Sequence, residues 1–204
     1  MKYPETIFNL IESFKKLPGV GVKTAERFAL SVLELNTEDV ETFSKLLLDT
    51  KTKIKRCKNC NNLSEEDLCE ICKDKNRDRK IICVVEEPKN IILFENLHIY
   101  NGVYHVLDGL ISPIDGINPE DINLSELMEK VKKENVREII LALKPSIEGE
   151  TTSLYISKIF EDKDIKISKI AHGIPHGADM DYVDALTLEM ALENRMIMST
   201  NKNS

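Results

Sequence analysis

The chain has 204 residues, a hydrophobic fraction of 42% and a net charge of −7, enough for one large domain or two small ones with a packed core. It has no apolar stretch of transmembrane length and no signal-peptide pattern at its start, so we expect a cytoplasmic protein. Residues 1–80 carry a net charge of +2 and the remainder −9. The acidic total therefore does not exclude a basic surface that binds phosphates, although solvated surface charge is the alternative.

Residues 1–54 are predicted to be helical because apolar residues recur at the i, i+3, i+4, i+7 spacing. Thr37 is the expected N-cap of the third helix. The apolar faces of the three helices consist of Ile7, Leu10, Ile11 and Phe14, then Ala25, Phe28, Ala29 and Val32, then Val40, Phe43, Leu46 and Leu47.

A glycine-containing turn separates the first two helical patterns. Gly19 and Gly21 allow a tight turn and close backbone approach. The amides that begin the next helix carry partial positive charge, which suits a DNA phosphate. Lys23 and Arg27 are four residues apart and would share the helix face beside that phosphate. The segment 17–25 resembles the helix-hairpin-helix motif, which binds the DNA backbone without reading sequence, and a plain packing corner between helices is the alternative.

Four cysteines follow as two CxxC pairs with eight residues between them. Four thiolates at this spacing can bind one Zn²⁺ with Zn–S bonds of about 2.3 Å. Two disulfides or a redox pair fit less well, because no secretory signal precedes them and no strand-then-helix pattern frames either pair. We predict one structural zinc per chain. Its ligands would be Cys57, Cys60, Cys69 and Cys72.

From residue 81 onward, apolar runs alternate with helical patterns, which predicts a parallel sheet covered on both faces. Cys83 lies in the first of these runs and is expected to be a core residue. The predicted strands are 81–85, 103–106, 138–142 and 165–171, and the predicted helices are 89–95, 124–134, 151–160 and 182–194.

The fold class predicted for the whole chain is α+β with several domains. A helical, helix-hairpin-helix domain would be followed by a zinc-finger module, an α/β domain with a parallel sheet and a C-terminal helical segment. The expected boundaries are 1–54, 55–75, 80–175 and 176–204, with a disordered tail from Ser199.

Glu86 directly follows the first strand of the predicted sheet, on the edge where parallel sheets bind ligands. This resembles the Toprim domain, in which a glutamate at this position works with an Asp-x-Asp motif that holds Mg²⁺. The turn after 138–142 contains no Asp-x-Asp and offers Lys144, whose charge opposes a metal. Glu148 and Glu150 would reach Glu86 only if their loop folded back. We therefore expect no enzymatic activity, and a Mg²⁺-dependent Toprim nuclease or primase-like enzyme is the alternative.

The order of these parts, at this length, resembles the RecR family of bacterial recombination mediators along essentially the whole chain. Lys144, His172 and Ala178 depart from the family pattern, which usually has Asn, Arg and Gly at these positions. Besides the four cysteines, the segments that carry the resemblance are 17–25, 84–88, 104–107, 112–116, 148–151 and 182–184.

The resemblance implies a role in recombinational DNA repair by assembly rather than catalysis. Members form rings of two or four chains that clamp single- and double-stranded DNA without sequence preference. With RecO and RecF they help load recombinase onto single-stranded DNA. Gly19, Gly21, Lys23 and Arg27 would then face DNA, and Glu86 would engage RecO. An adaptor that binds proteins and no DNA is a further alternative.

Overall fold

The computed structural model describes residues 3–171 and 173–196, which belong to two compact units, 1–54 and 55–204. His172, which departs from the family pattern, and the tail from Ser199, which was predicted to be disordered, lie outside the described residues. No helix in the described ranges is both long and apolar enough to cross a membrane.

The first unit is helical, as predicted. Its helices are α1 (Glu5–Phe14), α2 (Val22–Ser31) and α3 (Thr37–Lys53), with a 3₁₀ turn at Val32–Glu34. Its small core joins α1 to α2, and the rings of Phe14 and Phe28 meet edge to face with centroids 5.6 Å apart. The buried members of this core are Ile11, Ala25 and Ala29.

Helix α3 differs from expectation in two respects. Asn36 is its N-cap, because the Asn36 side chain accepts a hydrogen bond from the Asp39 amide at 2.8 Å. The prediction of Thr37 was wrong, since Thr37 is already the first helical residue. The predicted apolar face of α3 contains no buried residue, and Leu46 and Leu47 are 56% and 58% exposed.

The second unit begins with the cysteine-containing module. Two short strands, β1 (Lys55–Arg56) and β2 (Leu63–Ser64), pair antiparallel and are followed by the single helical turn α4 (Glu70–Lys73). The first CxxC segment, 57–60, lies in the turn between β1 and β2. The second, 69–72, begins one residue before α4 and continues into it.

A four-stranded parallel sheet forms the rest of the second unit, in the order β4-β3-β5-β6. The prediction of a parallel sheet is confirmed. Its strands are β3 (Asp78–Val85), β4 (Gly102–Val106), β5 (Glu138–Ala142) and β6 (Lys166–Lys169). Its helices are α5 (Pro88–Glu95), α6 (Leu124–Glu134), α7 (Ile147–Ile159) and α8 (Ala185–Glu193).

Successive residues of β3 enter two different cores, as the period-two geometry of a strand requires. Ile82 and Val84 pack with Leu127 of α6 and Ile156 of α7. Cys83 and Val85 pack on the opposite face with α5 and β4. Both faces of the sheet are therefore covered, which explains why its central strands are almost uniformly apolar.

The outer edge of β4 is covered rather than open to solvent. The buried ammonium of Lys130 donates to the Tyr104 carbonyl at 3.1 Å. The Val106 amide donates to the Cys60 carbonyl at 2.9 Å, and the Asn61 side chain donates to the Val106 carbonyl at 3.3 Å. The cysteine module thus pairs with the end of the edge strand.

Candidate functional site

The four predicted zinc ligands converge on one point. Their sulfur atoms all lie within 4.8 Å of one another, and Cys60 Sγ and Cys69 Sγ are 3.5 Å apart. A regular tetrahedron with Zn–S bonds of 2.3 Å would separate the sulfurs by about 3.8 Å. The four residues are buried, with exposures between 1% and 4%. These sulfurs can therefore hold one tetrahedral metal ion.

Hydrogen bonds around the sulfurs favour thiolates. The Cys69 amide donates to Cys57 Sγ at 3.3 Å, and the Asn59 side chain donates to Cys72 Sγ at 3.5 Å. Among the thiols themselves, the bond between Cys57 and Cys60 lowers the pKa of Cys57 and raises that of Cys60. Without a cation, ionisation of the Cys57 thiol thus disfavours ionisation of the Cys60 thiol. A divalent cation stabilises all four thiolates together.

Cys83 is chemically different from the four ligands. It is 2% exposed within the sheet, and burial raises the pKa of its thiol to about 12. A thiol that stays protonated is neither a nucleophile nor a metal ligand at neutral pH. Cys83 is a core residue, as the sequence predicted.

Basic residues beside the metal ligands are largely paired. Lys55 and Lys58 both contact the Asp67 carboxylate, at 2.8 and 2.7 Å, and their hydrogen bonds lower the pKa of Asp67 to about 2. Lys73 pairs with Glu66 and Glu70. Much of the positive charge in this module therefore stabilises its own loop.

The two glycines of the N-terminal turn differ in backbone conformation, and only one of them adopts a conformation that favours glycine. Gly19 has φ +77°, a left-handed conformation that favours glycine. Gly21 has φ −79° and ψ 170° as the N-cap of α2, a conformation open to any residue. A Cβ at Gly21 would meet no atom within 4 Å. Nothing in the described chain therefore requires glycine at this position.

The two predicted DNA-binding cations lie on the exposed side of α2. Lys23 and Arg27 are both exposed, whereas Ala25 and Ala29 of the same helix are fully buried. The Arg27 guanidinium lies 5.7 Å from the centre of the Phe28 ring, which steadies it by a cation–π contact. Lys23 and Arg27 therefore lie about one turn apart on the exposed side of α2, with Lys23 in its first turn.

Glu86 lies at the carboxyl end of β3 and is half-buried. The next residue, Glu87, is the N-cap of α5 and exchanges hydrogen bonds with Asn90 in a capping box. Lys89 pairs with Glu87 at 2.5 Å. Glu87 and Lys89 are thus engaged with each other.

The charged residues that follow β5 are Lys144, Glu148 and Glu150. Lys144 lines the same groove as Glu86. Glu148 bonds to Ser146, which lowers its pKa, and Glu150 bonds to Lys169 at 2.9 Å.

Neither Glu148 nor Glu150 lines the groove that contains Glu86. In the described part of the chain, the cluster suited to a metal ion is the four cysteines.

Sequence reasoning missed the start of α7 and one polar contact. Ser146 caps α7 by accepting from the Gly149 amide at 3.3 Å, so the helix begins at Ile147 rather than at Thr151. Ser146 itself was the available signal, because serine is a preferred N-cap residue. The second omission is the ion pair of Arg56 with Asp108, which are 52 residues apart and share no sequence signal.

Four family models match the chain in succession. They are described as RecR, helix-hairpin-helix (residues 7–51), RecR, four-cysteine zinc finger domain (54–74), Toprim domain (80–171) and RecR, C-terminal (173–196). The zinc-finger match and the converging sulfurs together confirm the prediction of one structural zinc.

Proposed function

The chain belongs to the RecR family, and on this premise we propose that it forms a ring that clamps DNA and acts with RecO and RecF to help load recombinase onto single-stranded DNA. The matched domains support a mediator of recombinational repair with DNA as a partner. The proposed location is the cytoplasm, where the thiols that bind zinc stay reduced.

The observation that carries the proposal is the exposed face of α2. Lys23 and Arg27 are exposed on α2, which begins directly after the Gly19–Gly21 turn. The open space at Gly21 allows a phosphate to approach the amides of the helix start. These contacts are independent of base sequence. They suit a protein that must bind DNA wherever repair is needed.

The exposed face of α3 supports assembly into a homo-oligomer. Phe43, Leu46 and Leu47 are 46%, 56% and 58% exposed, which is unusual for a continuous apolar helix face. Burial between copies would remove this surface from water. A ring would also repeat the α2 face, so that several weak phosphate contacts act together on one DNA molecule.

The proposed role is non-catalytic. Phosphoryl transfer with Mg²⁺ requires oxygen ligands placed around the metal. Here Glu86 shares its groove with Lys144, while Glu150 is engaged with Lys169. We propose that Glu86 serves as a charged contact for a protein partner such as RecO.

The test of DNA clamping compares two double variants that remove equal charge. Lys23→Ala with Arg27→Ala is expected to weaken binding and to lower the salt slope on duplex DNA by about 1.8, or 0.9 for each phosphate contact. Lys158→Ala with Lys163→Ala removes two exposed cations from the other unit and should bind as the parent does.

Fluorescence anisotropy with labelled DNA at several salt concentrations measures both quantities. Unchanged affinity and slope in the Lys23/Arg27 variant would favour the adaptor without DNA contact. Light scattering with and without DNA then measures the number of chains in the assembly. A monomer under both conditions would contradict the ring.

A further inference from the structure

Arg56 connects the zinc module to the sheet. It directly precedes the zinc ligand Cys57, and its Nη2 lies 2.7 and 2.8 Å from the two carboxylate oxygens of Asp108. Its Nη1 donates to the Asn61 carbonyl at 3.2 Å, inside the turn that follows Cys60. One guanidinium therefore contacts both the metal-binding turn and Asp108, the second residue after β4.

Asp108 is in turn bonded to the carboxyl edge of the sheet. Its amide donates to the Glu86 carbonyl at 2.9 Å, next to the bond from the Leu107 amide to the Val85 carbonyl at 3.0 Å. Asp108 has φ +62°, a conformation that costs energy for most residues and that Asp and Asn tolerate best. Asp108 is thus held by Arg56 through its side chain and bonded to Glu86 through its backbone.

The metal-binding turn also contacts β4 directly. The Cys60 carbonyl accepts from the Val106 amide at 2.9 Å, and Asn61 donates to the Val106 carbonyl at 3.3 Å. Cys57 and Cys60 are both zinc ligands, so the metal fixes the turn that presents these groups. The turn and Arg56 together restrain the last residues of β4.

We infer that Arg56 and Asp108 are positioning residues which couple zinc binding to the placement of Glu86. Zinc holds the turn, the turn accepts a hydrogen bond from Arg56, Arg56 holds Asp108, and Asp108 is bonded to the end of β3. The inference rests on the proposed function only for what Glu86 binds. Because a coupling free energy is reciprocal, Asp108 must also strengthen zinc binding, although it lies far from every ligand in sequence. We expect weaker binding in a variant to show as faster release of the metal.

The first test measures zinc transfer from the zinc-loaded protein to a coloured chelator. Asp108→Asn keeps a residue that tolerates positive φ and removes the charge that binds Arg56. Since the ion pair is half-exposed, the expected gain in release rate is modest, about fivefold.

The matched control is Asp115→Asn in the same loop, whose carboxylate accepts from Ser112 Oγ at 2.6 Å and does not contact the zinc module. It should release zinc at the parent rate. Equal release rates for the Asp108 and Asp115 variants would overturn the inference.

The second test measures amide hydrogen exchange in zinc-loaded variants, after metal content has been checked. Arg56→Gln should speed exchange at the amides of Leu107 and Asp108 about fivefold. The control Lys55→Gln removes a neighbouring cation whose partner, Asp67, lies within the zinc module, and it should exchange as the parent does.

No protein partner is needed for either test, so the result is independent of the role proposed for Glu86. Parent-like exchange in Arg56→Gln would overturn the coupling. If exchange changes as expected but Glu86→Ala binds RecO normally, the coupling stands and the proposed role of Glu86 is wrong.

Discussion

The Nε2 atom of His105 lies 2.6 Å from the carbonyl oxygen of Asn123. A carbonyl can only accept, so the neutral ring carries its proton on Nε2. The Nδ1 atom is buried and has no hydrogen-bond partner in the described structure. Burial, reinforced by the charge of Lys130, lowers the pKa of His105 to about 4 despite the favourable bond to Asn123.

We predict that the folded state loses stability as the pH falls from about 6.5 towards 4. The unfolded chain takes up a proton at His105 near pH 6.5, whereas the folded chain does so only near 4. The contribution of His105 to the free energy of unfolding is therefore fully present above pH 6.5. Its loss between pH 6.5 and 4 is on the order of 3 kcal/mol. Chemical denaturation at stepped pH, with zinc content measured at each step, tests this. His105→Gln should show a shallower pH slope, and an identical slope would contradict the assignment.

Purified protein should contain one zinc per chain, measured by elemental analysis. Cys60→Ser should lose this zinc and destabilise the module, because a structural zinc can contribute on the order of 10 kcal/mol to local folding. Cys83→Ala is the control, since Cys83 is buried in the sheet away from the metal cluster. Zinc-free parent protein with reduced thiols would refute the site.

The two turn glycines should respond differently to substitution. Gly19→Ala should cost about 1 kcal/mol of stability because of its positive φ. Gly21→Ser should fold normally, since serine is a good N-cap and the space around Gly21 is open. Its side chain would occupy the place proposed for a phosphate, and DNA affinity should fall about tenfold, equivalent to about 1.4 kcal/mol. Full affinity in a folded Gly21→Ser protein would move the DNA contact elsewhere.

Glu86→Ala should impair binding of RecO and leave DNA affinity near the parent value. The reason is that Glu86 lies on the sheet edge, whereas the proposed DNA contacts lie in the first unit. Pull-down and anisotropy measurements separate the two effects.

Parent protein incubated with labelled single-stranded and duplex DNA in Mg²⁺ or Mn²⁺ should leave both DNA molecules intact. Cleavage that disappears in Glu86→Ala would instead establish the Toprim nuclease.

The sheet could be predicted from the sequence because burial on both faces leaves a clear signature. Ile81 to Val85 form an unbroken apolar run, and the predicted helices 89–95 and 124–134 agree closely with α5 and α6. The cysteine site was predictable for a similar reason, since metal ligation fixes residue type and spacing together.

Features that depend on distant contacts could not be predicted in this way. The apolar face around Leu46 and Leu47 follows helical spacing, yet spacing alone does not reveal whether a surface lies in the core of the same chain. The contacts of Arg56 with Asp108 and of Lys130 with Tyr104 join residues that are neighbours only after the sheet has formed. Each side chain in isolation resembles ordinary surface charge.

The bond between the Cys60 carbonyl and the Val106 amide has a consequence for handling the protein. An uncovered edge strand is a template on which another chain can add its own strand. The turn that carries Cys60 blocks this position on β4 as long as the metal holds it. Chelation should therefore promote self-association through the sheet edge, so that zinc-depleted preparations precipitate during storage while zinc-replete ones stay clear.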